Sequence, residues 1–141
     1  MASRTRTVGA AAVAGLLLAS LVACGAGAER SGQDTVPCAE AMRFADQDGL
    51  PAGARDATCV SRGGIDTLYD VRFRIGRADL DTWLDDAYPG LRMSGTCADG
   101  TADRCGHADL HPYAKGGAVA VDLSVRYEGD EALVSYRPFN T

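Results

Sequence analysis

Two stretches of the chain alternate apolar and polar residues with a period of two. In Tyr69-Asp70-Val71-Arg72-Phe73-Arg74-Ile75 every odd position is apolar and every even one charged, the pattern of a strand with one buried face. Residues 118–127 repeat it, with Val119, Val121, Leu123, Val125 and Tyr127 on one side and Asp122, Ser124 and Arg126 on the other. Glu128-Gly129-Asp130 separates this run from residues 132–136, which predicts a hairpin. Residues 57–61, ahead of Gly63-Gly64, are the expected partner of the 69–75 strand. A helical period replaces the alternation over 78–87, where Leu80, Trp83, Leu84 and Ala87 fall at i, i+3, i+4 and i+7 and make one apolar face. Asp79 and Asp81 suit its first turn, and Tyr88-Pro89-Gly90 ends it. A shorter helix is expected from Pro37 to about Asp46, offering Ala41, Met42, Phe44 and Ala45 for packing. The order is α-β-β-α-β-β. Strands apolar on one side need a cover, so the expected fold is α+β: a single four-stranded antiparallel sheet with both helices on one face.

A different pattern opens the chain. Arg4 and Arg6 precede a stretch free of charge from residue 7 to residue 28, rich in Ala, Gly, Leu and Val. A basic start, a short apolar segment and small residues before a cut describe a secretory signal peptide, here residues 1–23. Its dense apolar part ends at Cys24, which argues against a spanning helix. Leu21-Val22-Ala23-Cys24 resembles the lipobox of bacterial lipoproteins, and that resemblance implies a diacylglycerol, palmitate-bearing anchor on the Cys24 thiol after cleavage. Each buried acyl CH₂ contributes about 0.8 kcal/mol, so two or three chains hold a protein on a membrane where one does so marginally. The expected location is the extracytoplasmic face of the cell membrane. Residues 24–35 contain no large apolar side chain and read as a flexible tether of roughly 20 Å span, leaving residues 36–141 as one domain.

Charge and cysteines narrow the function. Arg4 and Arg6 leave with residues 1–23, so 12 basic residues face 19 acidic ones, net −7. That excludes a nucleic-acid surface, which needs a basic face, and a polybasic grip on lipid headgroups. Beyond Cys24 four cysteines remain, Cys38, Cys59, Cys97 and Cys105. In an exported chain an even number predicts disulfides, with three pairings open. The polar turn between Cys97 and Cys105 favours closure of that pair, leaving Cys38 for Cys59.

Candidate chemistry is sparse. The polar sheet face carries Arg72, Arg74, Arg126 and Arg137 beside Asp70, Asp122 and Ser124, an arrangement that pairs internally or takes an anion. Residues 89–117 lack periodicity and are long for a passive connection, so they are expected to be a functional loop or to hide an element. They hold Asp99, Asp103, Asp109, His107 and His111. Cys105…His107…Asp109…His111 has some zinc character, but such a site would take Cys105 from its disulfide, so no metal and no cofactor is expected. Asp46-x-Asp48-Gly49 is half a calcium loop followed by Leu50-Pro51, where further ligands should stand, and reads as an acidic helix end. Asp85-Asp86 reads as solvated surface. No Gly-x-Ser-x-Gly, His-Glu-x-x-His or Ser-x-x-Lys occurs, Ser61, Ser94 and Ser135 have no adjacent base in sequence, and the cysteines are committed; no enzyme is expected.

The segment Cys38-Ala-Glu-Ala-Met-Arg-Phe-Ala, with Leu50-Pro51, Gly53-Ala54, Cys59, Phe73-Arg74, Trp83-Leu84 and Tyr88-Pro89, resembles small uncharacterised actinobacterial lipoproteins. The resemblance covers most of the chain after Cys24 and lends no activity, ligand or catalytic residue. The expectation is a lipid-anchored cell-envelope lipoprotein, a non-enzymatic interaction module for an envelope protein partner, monomeric and without nucleic acid. The alternative is a small-ligand or metal-binding accessory protein for a transporter or sensor.

Overall fold

Gln33–Thr35 pairs as a short strand, β1, although nothing in its side chains is apolar enough to ask for one. The computed structural model describes residues 32–141; the signal peptide, the lipobox with Cys24 and most of the tether lie outside the described residues. After β1 come α1 (Cys38–Phe44), β2 (Arg55–Arg62), β3 (Leu68–Gly76), α2 (Arg77–Ala87), β4 (Arg104–Asp109), β5 (Ala120–Glu128) and β6 (Glu131–Phe139). The strands form one antiparallel sheet in the order β1-β2-β3-β6-β5-β4.

The four-stranded sheet expected from the alternation is therefore corrected to six strands, and the element order to β-α-β-β-α-β-β-β. The two added strands are the sheet's edges. An edge strand has one neighbour, so main-chain pairing alone can hold it without large buried side chains. β4 hides its period in small residues: Gly106 and Ala108 face the apolar side, and Cys105, His107 and Asp109 the other, as their partners Leu123, Val121, Ser124, Asp122 and Ala120 require. Leu91 and Met93, from the chain that follows α2, cover Gly106 so closely that a Cβ there would lie 2.7 Å from the Met93 sulfur.

The two anticipated hairpins are present, β2–β3 and β5–β6, joined by β3 against β6. One sheet face carries Val71, Phe73 and Ile75 of β3, Leu123 and Val125 of β5, and Ala132, Val134 and Tyr136 of β6, all buried. Both helices lie on this face. α1 contributes Ala41 and Met42 and is tied to β2 by the Cys38–Cys59 disulfide. α2 buries Leu80 and sets Trp83 edge-on to Phe73, Tyr88 and Tyr136 at 5.9, 5.9 and 5.6 Å. The Tyr88 and Tyr136 hydroxyls hydrogen-bond each other inside this cluster. Burial pushes the Tyr88 phenol up to about 12, against a smaller lowering by its Tyr136 partner. Tyr136 is raised as well, by burial first and then by the neighbouring Tyr88.

Residues 110–119 cross back to the end of α1. Asp46, at φ 58°, accepts the Lys115 and Gly116 N–H groups at 2.9 and 3.2 Å, and Ala118 N–H donates to Phe44 O at 3.0 Å. The close approach requires glycine at 116, where a Cβ would fall 2.1 Å from Arg43 O. Asp46 is thus a clamp between two backbone segments, as its place at an acidic helix end allows. No helix among the described residues is long and apolar enough to cross a membrane.

Candidate functional site

On the polar sheet face the registers align Thr58, Arg72, Ser135, Ser124 and Cys105 in one row across five strands, and put Asp122 between Arg137 and His107 in the next. Most of the arginines are neutralised where they stand. Asp70, only 6% exposed, sits under Arg62 and Arg72. Glu128 takes Arg74 and Arg126, and their hydrogen bonds, Arg74 first, hold its carboxyl below the usual range. Arg55 pairs with Glu131. Among the described residues Arg137 and Arg92 stand in no ion pair.

Cys105 projects from this same face, and its disulfide to Cys97 brings the intervening loop over the sheet. The loop is fixed at several points. Asp99 accepts the Thr101 hydroxyl at 2.6 Å and the Thr101 N–H at 2.9 Å, bonds that also lower its pKa, the hydroxyl contributing most. Asp103 accepts Tyr127 N–H at 2.7 Å, and its own N–H donates to Val125 O at 2.9 Å. Ser94 exchanges two backbone hydrogen bonds with Cys105 at 2.7 and 2.9 Å. The ring is therefore ordered from both ends before any partner arrives.

The loop leaves an open cleft on each side. One, of about 570 Å³, runs between Cys97, Ala98 and Asp99 and the sheet residues His107, Asp122, Ser124 and Arg137, with Arg92 at its rim. The other, of about 240 Å³, lies between Thr101 and the residues Arg72, Arg126, Ser135 and Arg137. Arg137 lines both. The loop and the arginine-bearing face, read from the sequence as two separate surfaces, are thus parts of one.

His107 sits between two carboxylates, its ring nitrogens 2.7 Å from Asp122 Oδ1 and 3.2 Å from Asp109 Oδ1. Hydrogen bonds to Asp122 first and Asp109 second raise its pKa. His111 is not brought to it; that ring lies beside Tyr113, at 5.8 Å. The described residues hold no group of three or more His, Cys, Asp or Glu side chains arranged for a metal ion, and Cys105 is in a disulfide. Ser94 Oγ accepts Thr96 N–H at 3.1 Å, and Asp85 and Asp86 are exposed on α2. Arg92, at the rim, was not among the residues singled out from sequence; it stands in an aperiodic stretch and carries no local signal. Compared with family models, curated proteins and solved structures, the chain matches none.

Proposed function

We propose that this chain is a lipid-anchored, extracytoplasmic interaction module, held at the membrane through Cys24 and binding an envelope protein on its polar sheet face. The observation that carries the reading is the disulfide-closed loop standing over that face. A ring of this kind presents Asp99 and Thr101 at fixed positions beside Arg137 of β6, so little ordering of the loop is left to oppose association. Because Arg62, Arg72, Arg74 and Arg126 on that face are paired internally, Arg137 and the rim's Arg92 are the groups with charge to offer in the larger cleft, and a partner carboxylate is their natural counterpart. The two closed disulfides fit an oxidising compartment.

A photo-crosslinking residue at Thr101, in the intact cell, should capture a discrete protein, and the same residue at Ile65, fully exposed on the β2–β3 turn, should not. Equal capture at the two positions, or none at Thr101, removes the reading. Cys24→Ser should release the protein from the membrane fraction, since no other group is available to carry acyl chains. Retention after a salt wash points instead to an uncleaved helical anchor.

A second reading, a small-ligand accessory protein for a transporter or sensor, draws on the size of the 570 Å³ cleft, which falls within the range of small-molecule sites. Arg137→Ala that abolishes binding of a small anion while sparing Thr101 crosslinking favours it.

A further inference from the structure

We infer that the free edge of β4 joins a second copy of this chain, extending the sheet across a two-fold axis at Ala108. The ladder of β4 with β5 keeps one register from Arg104↔Val125 to Asp109↔Ala120 and continues to Leu110, whose N–H donates to Val119 O at 2.8 Å. Even-numbered residues therefore turn their main-chain groups toward β5 and odd-numbered ones turn them outward. Cys105 spends its outward pair on Ser94. Beyond Ser94 the chain leaves the ladder for the apolar face, where Met93 and Leu91 cover Gly106. His107 and Asp109 are left with outward N–H and C=O groups that have no partner among the described residues. A cleft of about 570 Å³ runs along this edge, between residues 87–92 and 107–112.

The edge is complementary to itself. An antiparallel copy centred on Ala108 sets His107 opposite Asp109 of the second copy, and Asp109 opposite its His107. Both are hydrogen-bonded positions, so four main-chain bonds close at once. The two side chains stand on the polar face, 51% and 68% exposed, and the register sets the second copy's carboxylate beside an imidazole already held by Asp122 and Asp109 of its own chain, so charges of opposite sign cluster at the joint. Ala108 meets Ala108 of the second copy at a non-hydrogen-bonded position, where side chains approach most closely and a methyl group fits. Ser94 limits the ladder at one end, and the bend at residues 111–112 takes the incoming chain away before it reaches Ser94. β4 also carries neither lysine nor proline to discourage pairing. This interface goes beyond the loop-and-face reading and differs from the monomer expected from sequence.

The test uses the chain from residue 24 onward with Cys24→Ser, so that the introduced thiol is the one cysteine outside the two disulfides, purified from an oxidising compartment. Ala108→Cys should form a disulfide with its own copy, read as a doubling of mass without reductant, with peptide mapping showing Cys38–Cys59 and Cys97–Cys105 intact. Ile65→Cys, far from the edge, should stay single. Unsubstituted protein should show a concentration-dependent monomer–dimer equilibrium in sedimentation. Asp109→Pro should abolish the dimer, because it deletes an outward N–H and leaves the β4–β5 ladder in place, while capture at Thr101 is unchanged. A folded Ala108→Cys that stays single, equal crosslinking of Ile65→Cys, or a monomer at every concentration overturns the interface.

Discussion

Removing one hydroxyl from the Tyr88–Tyr136 pair should cost more than removing both. Tyr136 is wholly buried and Tyr88 is 7% exposed, and each hydroxyl satisfies the other. Tyr88→Phe strands the deeper hydroxyl, which places its cost near the top of the roughly 1–3 kcal/mol paid for a buried group without a partner, whereas Tyr136→Phe strands one closer to water and falls near the bottom. The double variant leaves no orphan and keeps the ring packing against Trp83, so it should lie close to the unsubstituted protein, with a coupling of about 4 kcal/mol, the sum of the two single costs. Urea denaturation followed by Trp83, the sole tryptophan, measures all four corners of the cycle. The same pair sets an alkaline limit. A phenol whose folded pKa is raised keeps its proton in the native state after the unfolded chain has lost it, so stability falls as pH rises above the unfolded value near 10, until the folded value is reached. For Tyr88, raised to about 12, that loss is about 3 kcal/mol between pH 10 and pH 12. The double Phe variant should lack it. Additive single costs, or an alkaline slope unchanged in the double variant, would refute the hydrogen-bonded pair.

Trp83→Ala should destabilise by about 3 kcal/mol, the lower end for a large aromatic, because the indole is half-buried yet touches three rings; an unchanged urea midpoint counts against the α2 contact. Sequence separations of 21 and 8 give about 3.3 kcal/mol for the Cys38–Cys59 bond and about 2.5 for Cys97–Cys105 in the chain-entropy model. Double Ala variants should keep that order in denaturation, while the second pair alone reduces capture at Thr101. Gly116→Ala should cost at least 1–3 kcal/mol, since the backbone must move from Arg43 to admit a methyl; thermal unfolding of the variant measures it.

What the sequence revealed follows the depth of burial. β3, β5 and α2 have large side chains on one face, and their periods of two and 3.6 were visible for that reason. Both disulfide pairings followed from the cost of closing loops. β1 and β4 were not visible: Gln33, Asp34 and Thr35 are all exposed, and β4 packs its inner face with Gly106 and Ala108 under residues from elsewhere in the chain. The site was half legible. Cys97, Cys105 and the arginines were candidates, but their meeting depends on Cys105 sharing a face with Ser124 and Ser135, a fact of strand register. The internal pairing of Arg72, Arg74 and Arg126, which leaves Arg137 apart, is likewise a property of the folded face.

β1 gains a different meaning when force is considered. Its residues bond only to the far end of β2, with Gln33 opposite Arg62 and Thr35 opposite Val60, and Cys38 is locked to Cys59 shortly after. A pull on the N-terminal side peels β1 from the sheet one bond at a time and then meets a covalent stop. While β1 peels, the load passed into the sheet is capped by the strength of its few bonds to β2, so the first strand acts as a mechanical fuse ahead of the domain.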